Sequence, residues 1–143
     1  MLEIKFKKLN PAAKLPEYAK KGDAGLDLKA TSVEYSKELG CHVYGTGLAV
    51  EIPEGYVGLL FPRSSIRNYC LALTNCVGVI DSGYRGEIMA TFRPQTYGVE
   101  DVYKVGDKIC QIIIMPYPLI KPIEATELSK TERGENGHGS SGN

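Results

Sequence analysis

The chain has 143 residues, 43% of them hydrophobic, and its seventeen basic residues balance its seventeen acidic ones. This length and hydrophobic fraction are typical of one soluble globular domain with its own core. The even charge argues against a polyelectrolyte partner such as duplex DNA, which requires a basic face, and we expect no direct contact with nucleic acid. A small anionic ligand remains compatible, because it needs only a few well-placed donors.

Apolar and polar residues alternate along much of the chain, which predicts strands. Turn signals recur every 8 to 12 residues, and no long window has a helical period, so we predict an all-β sandwich or barrel. Residues 11–23 read as a loop, and residues 63–68 as one helical turn capped by Ser64 or Ser65. The predicted strands cover residues 2–6, 25–30, 48–52, 56–61, 86–93 and 108–115. The first of them should have one buried face. Two weak strands lie within residues 33–45, and the apolar run at 71–80 also favours a strand.

Cysteines and apolar runs restrict the class of protein further. Cys41, Cys70, Cys76 and Cys110 form no CxxC pair and lie in apolar stretches, so we expect buried free thiols. Two histidines without paired spacing disfavour a zinc site and a Ser-His-Asp triad. No apolar run approaches the ~18 residues of a membrane span. The N-terminus lacks a signal-peptide core, so we expect a cytoplasmic location without membrane contact.

The composition changes near residue 128, where glycine and polar residues replace apolar ones. This predicts an all-β core over residues 1–127 and a flexible C-terminal arm over residues 128–143. In the arm, Arg133 is followed by glycines and two serines. Glycine N–H groups, hydroxyls and a guanidinium are suited to clamping an anion. An unstructured terminus without a ligand is the alternative interpretation.

Four other polar positions interrupt apolar runs. Asp81 follows Val79-Ile80 and enters a turn, where it would either satisfy the turn backbone of a hairpin or face a pocket. Arg63 begins a strand-end cluster with two serines. Asp27 and Gln111 lie within strands, where a buried polar group requires a partner. Each has an ordinary structural explanation, but together they match a phosphate-bearing ligand with a hard divalent ion.

The order of these features resembles the trimeric all-β deoxyuridine triphosphate nucleotidohydrolases (dUTPases). The resemblance runs nearly end to end through five motifs: Ala24–Ala30, Pro62–Ser65, Asn75–Ile88, Gly106–Gln111 and Arg133–Gly142. It implies a distorted jelly-roll subunit of the β-clip type, which forms a homotrimer with active sites shared between subunits. It also implies hydrolysis of dUTP to dUMP and pyrophosphate, which limits uracil incorporation into DNA.

The resemblance implies a role for each matching residue. Asp81 matches the base that activates water for attack on the α-phosphorus, and Asp27 matches an acid that orients water on a Mg²⁺ cofactor. Tyr84 matches the ring that packs under deoxyribose, within a hairpin that reads uracil. The implied uracil and deoxyribose contacts are Asn75, Gly78, Tyr84, Gly86, Met89 and His138. The implied phosphate contacts are Arg63, Ser64, Ser65, Gln111 and, from an arm donated by another subunit, Arg133, Gly139, Ser140 and Ser141.

One departure and two alternatives accompany this resemblance. His138 stands where an aromatic residue, most often Phe, stacks on uracil; we expect an imidazole to keep the stacking. A dCTP deaminase on the same scaffold would carry a catalytic Glu where Thr91 stands, and Thr91 cannot act as that base. The second alternative is a nucleotide-sensing regulatory protein that uses the scaffold without turnover.

Overall fold

The structure, a computed structural model, describes residues 1–96 and 101–137. Within those ranges it is all-β, as predicted, apart from a short 3₁₀ helix at Ser64–Asn68, and none of its helical structure is long and apolar enough to cross a membrane. The strands are β1 (Lys5–Lys8), β2 (Leu26–Lys29), β3 (Ser32–Ser36), β4 (Cys41–Glu51), β5 (Tyr56–Pro62), β6 (Leu71–Leu73), β7 (Gly78–Ile80), β8 (Glu87–Pro94) and β9 (Lys108–Pro116).

The strands form two antiparallel sheets that enclose one core. One sheet has the order β1-β4-β8-β6, with β3 also paired to β4; the other has the order β2-β9-β5-β7. Buried side chains from both sheets make a single apolar cluster, which includes Tyr44 and Phe92 from the first sheet and Leu60 and Ile112 from the second. Alternation places these residues inside because successive side chains of a strand point to opposite faces.

A bulge interrupts the longest strand, β4. Its pairing with β8 shifts between Gly45 and Ala49, and Gly47 has a φ of 67°. Glycine adopts this left-handed conformation without the steric cost of a Cβ. The buried hydroxyl of Thr46 donates a hydrogen bond to the Ile88 carbonyl at 2.7 Å, so the bulge remains tied to β8.

The structure corrects the predicted pairing around Asp81. Strand β7 pairs with β5, whereas β8 pairs with β4 and β6. Residues 81–86 therefore carry the chain from one sheet to the other, and the predicted hairpin is wrong. The alternation of apolar and polar residues identifies strands but not the strands they pair with. It reflects which face of a strand is buried, and this does not depend on the pairing partner.

Three smaller predictions are also wrong. Leu2 is exposed and precedes β1. Among the described strands β1 pairs with β4 alone, at the edge of its sheet, and it buries no residue fully. The 3₁₀ helix has Arg63 as its N-cap, without a side-chain capping bond from either serine. Of the four free cysteines, Cys41 and Cys110 are buried, but Cys70 and Cys76 are exposed. Burial raises the pKa of the Cys110 thiol to about 12.

Candidate functional site

An ion-pair cluster joins three strands of the second sheet. Asp27 on β2 is 7% exposed, and its Oδ1 accepts a hydrogen bond from Arg63 Nε at 2.7 Å. Its Oδ2 lies 2.7 Å from Lys108 Nζ on β9 and 3.4 Å from Arg63 Nη2. The sequence predicted that a buried acid here requires a partner, and the structure supplies two cations. Lys108 was not singled out from the sequence, because its contact with Asp27 depends on the pairing of β2 with β9.

Two opposing effects act on the Asp27 carboxyl. Burial raises its pKa, whereas hydrogen bonds and charge interactions with Lys108 and Arg63 lower it, and the net direction is downward. Asp27 is therefore a carboxylate at neutral pH. Its side chain fixes the Arg63 guanidinium, whose Nη1 also donates to Ser65 Oγ at 3.2 Å.

A pocket of about 290 Å³ adjoins this cluster. Asp27, Arg63, Ser64 and Gln111 line it together with Asp23 and Gly25. The Gln111 amide donates to the Pro62 carbonyl at 3.1 Å, which fixes the side chain beside Arg63. The structure thus brings together most of the predicted phosphate-binding residues of the core. We call this space the Asp27 pocket.

Gly25 contributes to this pocket in a way that the sequence alone did not reveal. A Cβ at Gly25 would overlap the amide oxygen of Gln111 and approach its Cδ to 2.9 Å. The glycine therefore makes room for the amide. Its place directly before β2 was the only signal in the sequence, and many glycines at strand ends serve merely as turns.

A second pocket, of about 220 Å³, lies where β7 leaves its sheet. Its lining includes the predicted residues Asn75, Gly78, Asp81, Tyr84 and Met89. The remaining lining residues are Leu60, Val79, Ile80, Glu87 and Ile88. Apolar walls with a few convergent polar groups are typical of a small-molecule site. We call this space the Asp81 pocket.

The side chain of Asp81 is exposed and accepts no hydrogen bond from any residue that the structure describes. The turn that follows is closed instead by the Asp81 backbone carbonyl, which accepts from Tyr84 N–H at 3.1 Å. The structure therefore does not show the alternative in which the Asp81 carboxylate accepts hydrogen bonds from the backbone of its own turn. Its oxygens remain available to a ligand or a water molecule.

Tyr84 is held in position by its neighbours. Its hydroxyl donates to the Glu87 carbonyl at 2.8 Å, and a Cβ at Gly86 would overlap its phenol ring, whose Cε2 would lie only 2.9 Å away. Gly86 does not line the Asp81 pocket, so its part in the site is to let Tyr84 fold back. Arg85 Nη1 donates to the carbonyls of Ser82 and Tyr84, at 2.6 and 2.9 Å, which further fixes the turn.

The two pockets share no lining residue: Leu60 of β5 lines the Asp81 pocket, and Arg63, which follows β5, lines the Asp27 pocket. Ile80 pairs with Gly58, so Asp81 lies level with the start of β5, whereas Arg63 follows the end of that strand. The separation is about six residues of extended chain, or roughly 20 Å. Asp81 and Arg63 therefore line separate pockets of one chain.

Residues 117–136, which follow β9, are exposed. Residues 117–136 contain no strand, and Arg133 forms a local bond from its Nε to the Asn136 carbonyl at 2.9 Å. The predictions for His138, Gly139, Ser140 and Ser141 lie outside the described residues. The division of the chain at residue 128 also stays a prediction.

The family model for dUTPase matches residues 12–142 of the chain. The chain belongs to the dUTPase family. A deoxyuridine 5'-triphosphate nucleotidohydrolase of Desulfitobacterium hafniense is 43% identical over 146 residues, which cover 99% of this chain and 95% of that protein. The corresponding protein of Alkaliphilus metalliredigens is 38% identical, with 99% of both chains covered. The predicted enzyme class, dUTP diphosphatase, is thereby confirmed.

Solved dUTPase structures agree with this membership. A dUTPase of Staphylococcus bacteriophage 80alpha, described with dUpNHpp, is similar with a TM-score of 0.83 at 30% identity over 99% of each chain. A dUTPase from phage phi11 of S. aureus, described with a structural Mg(II) ion, has a TM-score of 0.73 at 27% identity over 90% of this chain and 100% of that one. The predicted jelly-roll fold is that of these dUTPases.

Proposed function

We propose that this dUTPase hydrolyses dUTP to dUMP and pyrophosphate, with Asp81 as the general base. The observation that carries the proposal is the exposed carboxylate of Asp81, free of partners among the described residues, beside a pocket that also contains Asn75 and Tyr84. A free carboxylate can accept a proton from water as the water attacks the α-phosphorus. A positioned base of this kind contributes roughly 10²–10⁴-fold to the rate.

The Asp81 pocket is the proposed site for uracil and deoxyribose. Asn75 and the backbone of β7 and β8 offer the hydrogen-bonding groups that a uracil ring requires. A site that pairs with polar groups of its ligand can reject an analogue with the wrong pattern by roughly 10⁴–10⁵-fold. Tyr84 presents an aromatic ring that Glu87 holds and Gly86 leaves room for, which suits it to pack under deoxyribose and exclude a 2′-hydroxyl.

The Asp27 pocket is the proposed triphosphate site. Arg63 offers a guanidinium, Ser64 a hydroxyl and Gln111 an amide at its lining. Cations and donors aimed at developing negative charge usually make the largest contribution to phosphoryl transfer. Arg133 and the glycines and serines after it would complete this set from the arm.

The donor set fits a Mg²⁺ ion that arrives with the triphosphate. Among the described residues no three His, Cys, Asp or Glu side chains converge to form a metal cluster. Mg²⁺ is often held by one or two carboxylates together with substrate phosphates, and it keeps several waters. Asp27 is the carboxylate that would accept hydrogen bonds from such waters. When bound, the ion would neutralise phosphate charge.

A site shared between chains would reconcile the two pockets. Asp81 and Arg63 lie toward opposite ends of one sheet, so an interface that joins the Asp81 pocket of one copy to the Asp27 pocket of another would complete the site. Exposed apolar side chains also support assembly: Leu119 is 92% exposed and Ile123 80% exposed in the single chain. We propose the homotrimer as that assembly.

A substrate panel tests the proposed function. Pyrophosphate release with Mg²⁺ should be fast on dUTP and negligible on UTP, dTTP and dCTP, and Asp81→Asn should reduce the rate on dUTP by roughly 10²–10⁴-fold. Equal turnover of UTP would contradict the role of Tyr84. Ammonia release from dCTP would favour the deaminase alternative. Binding of dUTP without turnover would favour the regulatory one.

A further inference from the structure

Glu87, the first residue of β8, connects the Asp81 pocket to the bulge in β4. Its carboxylate Oε1 accepts a hydrogen bond from the backbone N–H of Gly47 at 2.6 Å. Hydrogen bonds in which the acceptor is charged are shorter and stronger than neutral ones. The bond satisfies a backbone donor that the bulge removes from regular pairing between β4 and β8.

The surroundings leave the carboxylate little freedom. A Cβ at Gly45 would lie 2.6 Å from Glu87 Oε1 and 2.6 Å from Ser32 Oγ, so the carboxylate occupies space that a side chain would otherwise fill. The Gly47 carbonyl accepts from Leu9 N–H at 2.8 Å, which holds the bulge from its other side. The donor that Glu87 meets is therefore itself fixed in place.

The same residue holds Tyr84 through its backbone. The Glu87 carbonyl accepts the Tyr84 hydroxyl at 2.8 Å, and Glu87 lines the Asp81 pocket together with Tyr84. The side chain of Glu87 thus fixes its backbone against β4, and the fixed backbone orients the phenol. The Tyr84 side chain is 44% exposed, so packing restrains it only in part and the hydroxyl bond contributes more to its position.

We propose that Glu87 is a positioning residue for the selection of deoxyribose over ribose. The inference rests on the proposed role of Tyr84 as the ring under the sugar, and it assigns the control of that ring to the carboxylate that bonds the backbone of β4. Without the bond to Gly47, the start of β8 is less constrained and Tyr84 samples other positions. A 2′-hydroxyl is then excluded less effectively.

Glu87→Ala tests this role. We expect KM for dUTP to rise roughly tenfold with kcat nearly unchanged, because the binding that is lost is shared by the ground state and the transition state. The ratio of kcat/KM for dUTP to kcat/KM for UTP should fall by about tenfold, because the position of the Tyr84 ring determines how well the 2′-hydroxyl of UTP is excluded. Glu87→Gln should restore most of this ratio, since an amide oxygen can also accept from Gly47 N–H.

Two further variants complete the design. Glu51→Ala removes an exposed carboxylate at the end of β4, which pairs only with Lys5 at 2.9 Å among the described residues, and it should leave the ratio unchanged. Gly45→Ala displaces the Glu87 carboxylate from the opposite side, and it should reproduce the loss if Glu87→Ala does not fold. Binding of a non-hydrolysable dUTP analogue, measured by calorimetry, should weaken in parallel with KM.

Specific results would overturn the proposal. One is a lower melting temperature for Glu87→Ala and Gly45→Ala with the dUTP-to-UTP ratio unchanged, which would make Glu87 a purely structural residue. Another is a failure of Glu87→Gln to restore the ratio. A wild-type enzyme that turns over UTP as fast as dUTP would instead contradict the proposed function, whereas analogue binding would still report on Glu87.

Discussion

At the scale of single residues, the site depends on glycines that leave room for a functional side chain. Gly86 has an ordinary backbone conformation, so its requirement is one of space: a Cβ there would overlap the Tyr84 phenol. Gly25 stands in the same relation to the Gln111 amide. In each case a small residue permits the position of a larger one. Alanine at such a position changes the geometry of the site without removing any functional group.

Gly86→Ala should therefore impair the site without unfolding the protein. We expect Tyr84 to be displaced and the preference for dUTP over UTP to fall by roughly tenfold. The melting temperature should change little, because Tyr84 is 44% exposed and does not belong to the apolar core. Gly83→Ala is the matched control, since a Cβ there meets nothing within 4 Å. Equal effects of the two substitutions on the kinetics would show that Tyr84 is not held in this way.

At the scale of elements, Asp27 joins β2 to β9 through Lys108 and to the end of β5 through Arg63. The native state holds this carboxyl with a pKa below its ordinary value of 3.8. The native protein therefore binds the proton less readily than the unfolded chain does. The contribution of the Asp27 ion pairs to the free energy of unfolding is fully present above about pH 4. It is lost as the pH falls through the lowered pKa of Asp27.

Asp27→Asn should destabilise the protein in a pH-dependent way. At pH 7 we expect the free energy of unfolding to fall by roughly 1–3 kcal/mol, because two cations lose a charged acceptor. The difference in the free energy of unfolding between wild type and variant should become smaller below about pH 4, where Asp27 of the wild type also becomes protonated. Urea unfolding at equal protein concentrations at pH 7 and pH 3 measures both values.

Asp23→Asn is the control for that experiment. Asp23 lines the same pocket, but its carboxylate accepts only the exposed Lys20 N–H, at 2.8 Å, among the described residues. Its substitution should cost little at either pH. A gap between wild type and Asp27→Asn that stays constant from pH 7 to pH 3 would mean that the ion pairs are not the source of the lost stability.

The elements also show what a sequence can predict. Alternation locates most strands within a few residues, and the order of polar motifs indicates a phosphate-binding enzyme. Pairing partners cannot be read in this way, because β7 and β8 carry similar local patterns but join different sheets. The contact between Asp27 and Lys108 joins residues that are far apart in the sequence. The roles of Gly25 and Gly86 become visible only when the positions of the Gln111 and Tyr84 side chains are known.

At the scale of the whole molecule, the fold separates the two halves of the proposed site. Strand β5 borders both pockets: Leu60 lines the Asp81 pocket, and Arg63, which follows the strand, lines the Asp27 pocket. On the proposed function, a dUTP molecule that contacts both halves would bridge two copies of the chain. In a closed ring of three, each copy would supply Asp81 to one site and Arg63 to another.

Mixed assemblies of two inactive variants test this arrangement. Asp81→Ala and Arg63→Ala should each be nearly inactive alone. When the two are refolded together in equal amounts, every mixed trimer should contain one intact site, and activity should recover to roughly a quarter of the wild-type rate. Different affinity tags on the two variants allow mixed trimers to be isolated and their activity measured. The control is the Asp81→Ala, Arg63→Ala double variant, refolded alone by the same procedure. If isolated mixed trimers remain inactive, both residues serve the same copy's site, and the shared-site proposal is wrong.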